Sequence, residues 1–212
     1  MKIIEPGYEI MSKIDNAEIL KHLEACGRVC YKSEKNINAT SASKFVAGLI
    51  RRGHEAMIEH ISITVKFICD RGVSHEIVRH RLASFAQEST RYCNYIKDDF
   101  GSEMTVIAPS FLKEDTEGWF IWKYLCEQSE KAYFAMLKWG STPQEARSVL
   151  PTSLKTEIIV TMNLREWRHF FKLRALGTTG KPHPQMQELA LPLLREFKSL
   201  MPEIFGDLEE KE

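Results

Sequence analysis

Apolar and polar positions alternate from Ile61 to Phe67 and the period carries on to Cys69, with Ile61, Ile63, Val65, Phe67 and Cys69 on one face and Ile68 the one apolar residue on the other. A period of two predicts a strand with one side packed on a core. Glu157 to Met162 reads as a second strand, which Asn163 turns into a helix bearing Leu164, Trp167, Phe170, Phe171 and Leu173 until Gly177 ends it. Elsewhere the period is helical. From Asp15 or Asn16, each a suitable N-cap, a helix carries Ile19, Leu20, Leu23, Cys26 and Cys30 in one stripe. Another starts after Thr40, turns Phe45, Val46, Leu49 and Ile50 inward, and stops at Gly53. Beyond a turn at Asp70-Arg71-Gly72, the spacing of Ile77, Val78, Leu82 and Phe85 predicts a helix carrying Arg79 to Arg81. Arg79 and Arg81 would then point about 200° apart around it.

Glu117 to Trp139 is a long helical stretch crowded with aromatics, among them Trp119, Phe120, Trp122, Tyr124, Tyr133, Phe134 and Trp139. Such side chains pack a core or a subunit interface. Thr142-Pro143-Gln144-Glu145 reads as a capping box with proline at the first helical position, opening a short helix that bears Arg147 and ends by Pro151. The residues up to Ile14 suggest one or two short strands turned at Pro6-Gly7, and the last helix, Gln185 to Leu200, is expected to kink at Pro192. No repeat or linker interrupts the pattern, so residues 1–212 are expected to form a single domain.

Composition narrows the picture. The 43% of hydrophobic residues supply a sizeable core, and Lys+Arg 29 cancels Asp+Glu 29, so no overall charge draws the chain to nucleic acid or to an anionic membrane. Glu5 and Pro6 interrupt the start where a signal peptide needs an apolar run, and no stretch has membrane-spanning length, which points to the cytoplasm. Cys26, Cys30, Cys69, Cys93 and Cys126 make an odd set without a CxxC pair, fitting reduced thiols better than disulfides or a zinc ribbon.

Positive charge is concentrated locally, in Arg79 to Arg91, which reads RHRLASFAQESTR. Guanidinium groups match phosphate oxygens two at a time and keep their charge, while Ser84, Gln87 and Ser89 add neutral donors and acceptors. Taken alone, such a run is a solvated helix face, a nucleic-acid patch or a site for a phosphorylated heteroaromatic ligand; Leu82, Ala83, Phe85 and Ala86 between the charges favour a cleft. Metal hydrolysis is a weaker alternative. The histidines of HEAMIEH (His54, His60) are six apart, and those of HEIVRH (His75, His80) are five apart, about 140° around a helix, so neither matches the four-residue spacing of a zinc motif. No metal site is expected.

RHR followed after seven residues by serine, continuing to STRY, resembles the signature of the flavin-dependent thymidylate synthases. GHEAMIEH (Gly53 to His60) and MNLREWRHFFKLR (Met162 to Arg174) are similar to flanking motifs of that family, and together they extend the resemblance from Gly53 to about Leu191. The resemblance implies an α/β (α+β) fold, a single domain whose mixed sheet is flanked by helices. It implies an enzyme that converts dUMP to dTMP with methylenetetrahydrofolate as carbon donor and NADPH reducing a bound FAD, in a homotetramer whose sites are shared between subunits. By position, Glu76, Arg79, Gln87, Ser89, Arg91, Arg147 and Arg174 would hold dUMP, with Arg174 catalytic as the group that activates the uracil ring. FAD would be held by His54, Ala56, Arg79, His80, Arg81, Gln87, Asn163, Arg165 and His169, with His54 also near the folate. Ala56, Glu76, Ala86 and Gln87 stand where the family commonly has a small hydroxyl residue, glutamine, asparagine and glutamate.

Overall fold

The computed structural model describes residues 1–92, 95 and 103–210; Cys93, counted above among the thiols, lies outside them. Among the described residues, six strands and eight α-helices follow one another: β1 (Lys2–Ile4), β2 (Gly7–Ile10), α1 (Asn16–Val29), α2 (Ser41–Arg51), β3 (Ser62–Asp70), α3 (Arg71–Ile77), β4 (Ala83–Gln87), β5 (Thr105–Ile107), α4 (Glu117–Lys138), α5 (Pro143–Ala146), β6 (Lys155–Asn163), α6 (Leu164–Arg174), α7 (Pro184–Leu200) and α8 (Pro202–Phe205). The α/β character expected from the sequence is therefore met. A four-stranded sheet has the order β2-β3-β6-β4, and β1 pairs with β5 in parallel, Lys2 opposite Thr105. No helix among the described residues is long and apolar enough to cross a membrane.

Two compact units divide the chain: one of Met1–Tyr8, Lys66–Arg79 and Phe85–Ile159, the other of Glu9–Val65, His80–Ser84 and Val160–Glu212. The first packs β1, β5 and α4 around Met104, Val106, Cys126, Tyr133 and Leu154, with Trp122 and Phe134 partly buried against them. Its short α5 carries the expected capping box: the Thr142 N–H donates to Glu145 at 2.7 Å, with Pro143 opening the helix. The second unit is built on the apolar stripe of α6. Trp167, Phe170 and Phe171 are fully buried there, with Phe197 of α7 and Phe205 of α8 packed against them at ring separations of 5.2–5.8 Å. The Trp167 indole N–H donates to the Ile63 carbonyl at 3.0 Å, tying α6 to β3.

The local signals that shape the site elements are mostly those expected. Asp15 caps α1 by accepting from the Glu18 N–H, and Asn163 caps α6 by accepting from the Glu166 N–H at 2.9 Å. β3 buries Ile63, Val65, Phe67 and Cys69, and β6 buries Thr156, Ile158, Val160 and Met162, in strict alternation.

One element differs. The helix expected to carry Arg79 to Arg81 ends at Ile77, and Ala83–Gln87 is a strand beside β6, followed by the Glu88 N–H donating to the Glu157 carbonyl at 2.9 Å. The stripe that suggested a continuing helix would have buried Leu82, which is 68% exposed. Pairing with a long central strand outweighs the weak helical period of a five-residue segment. Arg79 and Arg81 therefore stand on a connection, and the 200° separation does not apply. Asp70, read as part of a turn, instead caps α3 by accepting from the Val73 N–H at 2.6 Å.

Candidate active site

The second unit brings three of the expected residues together. His80 is buried and lies beside α6, its ring 5.5 Å from that of His169 and 5.1 Å from that of Phe170. Its Nδ1 is 2.9 Å from Glu166 Oε1, and its Nε2 is 3.3 Å from Arg174 Nε. The guanidinium Nε–H can only donate, so His80 Nε2 accepts and the imidazole proton sits on Nδ1, donating to Glu166. Burial holds the His80 pKa below its ordinary value; the Glu166 carboxylate pulls against this, and Arg174 and His169 add to it. The ring is thus neutral near neutral pH. Glu166, Phe170 and Arg174 follow one another at intervals of four, which places them on one line of the helix.

His80, Glu166 and His169 place possible ligand atoms within 4.8 Å of one another. A divalent ion there would have to displace Glu166 or Arg174 from His80 and sit beside a permanent positive charge. The set suits an anionic or electron-rich ligand better than a cation.

A cavity of about 340 Å³ in the same unit is lined by His54, Ala56 and Arg165, with Tyr31, Leu49 and Met57 as apolar wall. Gly53 turns into it in the left-handed region at φ 70°. Arg165 is held by Glu59, Nη1 to Oε1 2.6 Å, while its neighbour Arg168 is buried against Glu55 and the Asp207 carboxylate, a structural pair rather than a ligand group. Arg81 is exposed, and Asn163 spends its side-chain oxygen on the helix cap.

The first unit holds the remaining residues. A cavity of about 290 Å³ is lined by Arg147 together with Arg71, His75, Thr90 and Ser148, and Arg147 donates to the Thr90 hydroxyl at 3.3 Å. In the sequence Arg71 reads only as part of a turn and His75 only as a poorly spaced metal ligand, so neither is expected at a binding site. The Gln87 amide donates to Ser74 Oγ at 2.9 Å and to Thr156 Oγ1 at 3.2 Å. Ser89 accepts from the Arg91 N–H at 3.3 Å, and Glu76 lies in the last turn of α3. Arg79 and Arg91 are exposed. The residues expected to hold dUMP, Arg174 apart, thus fall in the first unit, and those expected to hold FAD, Arg79 and Gln87 apart, in the second.

The two buried cysteines, Cys69 and Cys126, offer no alternative nucleophile. Burial pushes the Cys69 thiol up to about 12 and the Cys126 thiol up to about 11, so neither forms a thiolate at neutral pH.

Residues 13–203 match the family described as thymidylate synthase complementing protein. The flavin-dependent thymidylate synthase of Geobacter sulfurreducens is 32% identical over 187 residues, covering 85% of this chain and 78% of that one. That of Corynebacterium glutamicum is 30% identical over 219 residues, covering 95% and 83%. The Pyrococcus furiosus protein of the same name is 34% identical over 167 residues, and the match spans 66% of its length, just under two thirds. In structure the chain is similar to a UMP/dUMP methylase from Streptomyces cacaoi bound with 5-Br dUMP, at a TM-score of 0.78 and 21% identity, covering 97% of this chain and 96% of that one. A family match over nearly the whole chain, on a fold of the same kind and with relatives at this identity, makes it a member of the thymidylate synthase complementing protein family, the flavin-dependent thymidylate synthases.

Proposed function

We propose that this protein converts dUMP to dTMP, taking the carbon from methylenetetrahydrofolate and the reducing equivalents from NADPH through bound FAD. The observation that carries the reading is the neutral, buried His80 holding the Nε of Arg174 at the end of α6, inside the span that matches the family. A guanidinium fixed in this way presents a preorganised positive group to a ring on which negative charge must build. The similarity to flavin-dependent thymidylate synthases, and the likeness in fold to a UMP/dUMP methylase, support the same reaction.

The residues present fit FAD in part. The cavity at His54, Ala56 and Arg165 combines apolar wall with a cation, as a planar heteroaromatic group with an anionic tail requires, but its 340 Å³ lies at the small end of the ~300–1,000 Å³ usual for ligand sites. A dinucleotide needs more room than this chain alone encloses there. Arg79, His80, Arg81, Gln87, Asn163 and His169 complete the set we assign to FAD. When bound and reduced by NADPH, FAD would supply the two electrons that turn the donated methylene into a methyl group. Glu76, Arg79, Gln87, Ser89, Arg91 and Arg147 hold dUMP, the arginines serving phosphate and ribose.

The partial cavity motivates the assembly we propose, a homotetramer with sites completed by several subunits. Phe120, Ile121, Tyr124 and Leu125 lie exposed along one face of α4, and Trp139 beyond its end is 89% exposed. An apolar stripe of this kind is characteristic of a subunit interface. Light scattering should give four times the chain mass; a fully active monomer would refute shared sites. We read residues 1–212 as one domain and place it in the cytoplasm, a reading the free thiols Cys26, Cys30, Cys69 and Cys126 agree with as to compartment.

Titration with FAD should yield a yellow protein, and anaerobic NADPH should bleach it. Folded protein with no flavin absorbance at saturation would remove the basis of the reading.

A further inference from the structure

We infer that Glu166 is a positioning residue for the reaction: its carboxylate fixes the tautomer and orientation of His80, and His80 in turn fixes the guanidinium plane of Arg174. The inference rests on the proposed role of Arg174 in polarising the uracil ring, and it adds a residue that neither the RHR signature nor the arginine set contains.

Glu166 occupies the third position of α6, where a glutamate ordinarily does no more than favour the helix dipole or turn back on the N-cap. Here Asn163 already provides the cap, accepting from the Glu166 N–H, and the Glu166 side chain is 9% exposed and turned to His80 Nδ1 at 2.9 Å. A buried carboxylate is costly unless a specific partner compensates it. That partner is a neutral ring whose far nitrogen receives Arg174 Nε–H at 3.3 Å. With the proton on Nε2 instead, two N–H groups would face each other and Arg174 would be pushed off His80. A carboxylate on Nδ1 excludes that tautomer, as outer partners of ring nitrogens do at other sites. His169 and Phe170 contact the ring edge-on.

The test uses Glu166→Gln, which keeps the shape of the side chain, and Glu166→Ala, in FAD-loaded protein labelled with ¹⁵N-histidine. Wild type should show a neutral imidazole protonated on Nδ1 that becomes a tautomer mixture in Glu166→Gln. Tritium release from C5-labelled dUMP at saturating nucleotide should fall about tenfold in Glu166→Gln and about 100-fold in Glu166→Ala, the usual range for such outer partners. Flavin reduction by NADPH and the melting temperature of Glu166→Gln should stay at wild-type values. The inference is overturned if the histidine signals and turnover of Glu166→Gln match wild type, or if its turnover falls only in step with flavin reduction and stability. Should Glu166→Ala fail to fold, Glu166→Gln decides. If wild type binds flavin yet releases no tritium, it is the reading of the reaction that fails, and the tautomer comparison still reports whether Glu166 sets His80.

Discussion

Replacing Arg174 by alanine should lower turnover by on the order of 10²- to 10³-fold, the usual cost of one preorganised electrostatic group. Methylation at C5 of uracil requires electron density to build on the pyrimidine, and that charge accumulates toward the O2/N3/O4 edge. A positive group held there stabilises the activated ring more than the resting substrate, which accelerates chemistry rather than binding alone. Arg174 is half-buried, and its Nε is anchored on His80. Arg79 and Arg91 are exposed, and Arg147 faces a cavity with Arg71 and His75, arrangements suited to phosphate. Flavin reduction by NADPH should survive the substitution. Arg174→Lys should rescue poorly, because an ammonium on a flexible stem cannot reproduce a planar fork whose Nε is already committed. Near-normal tritium release by Arg174→Ala would move the role to Arg147 or Arg91.

The largest stability effect is expected at Trp167. Its side chain is fully buried, packs on Phe170, Phe171 and Phe197 at 5.4–5.8 Å between ring centroids, and satisfies the Ile63 carbonyl. Trp167→Ala should cost about 3–5 kcal/mol, from lost transfer energy and the cavity left behind. At ~2–4 °C per kcal/mol for a chain of this size, the melting temperature should drop by on the order of 10 °C. Trp167→Phe should lose less, since it keeps the ring contacts and forfeits only the indole hydrogen bond. A melt of Trp167→Ala superimposable on wild type would contradict the view that α6 is held against β3 and α7 through this side chain.

The parts of the fold legible in the sequence are those where each residue's environment is set by its near neighbours. β3 and β6 alternate because one face of each is buried along its whole length, and Asp15, Asn163 and Thr142 announce helices through bonds made three residues away. Ala83–Gln87 was not legible as a strand. Its apolar spacing suits a helix turn equally well, and a distant strand decides between them. β5 is three residues long and exists through its pairing with β1, about a hundred positions away. The site divides along the same line. Guanidinium groups declare their chemistry by type, so Arg79, Arg147 and Arg174 stood out. Glu166 did not, because a glutamate in a first helical turn has a sufficient local reason to be there, while its partner His80 lies 86 residues earlier. The line Glu166, Phe170, Arg174 was the available signal: a carboxylate at an interval of four from a core phenylalanine is placed to be buried.

The proposal that this chain methylates dUMP through a flavin is tested most directly by one assay on wild-type protein: C5-tritiated dUMP, methylenetetrahydrofolate and NADPH, with and without FAD. We expect tritium to appear in water in step with dTMP, and both to depend on FAD. Flavin-loaded, NADPH-reducible protein that releases no tritium and forms no dTMP would contradict it.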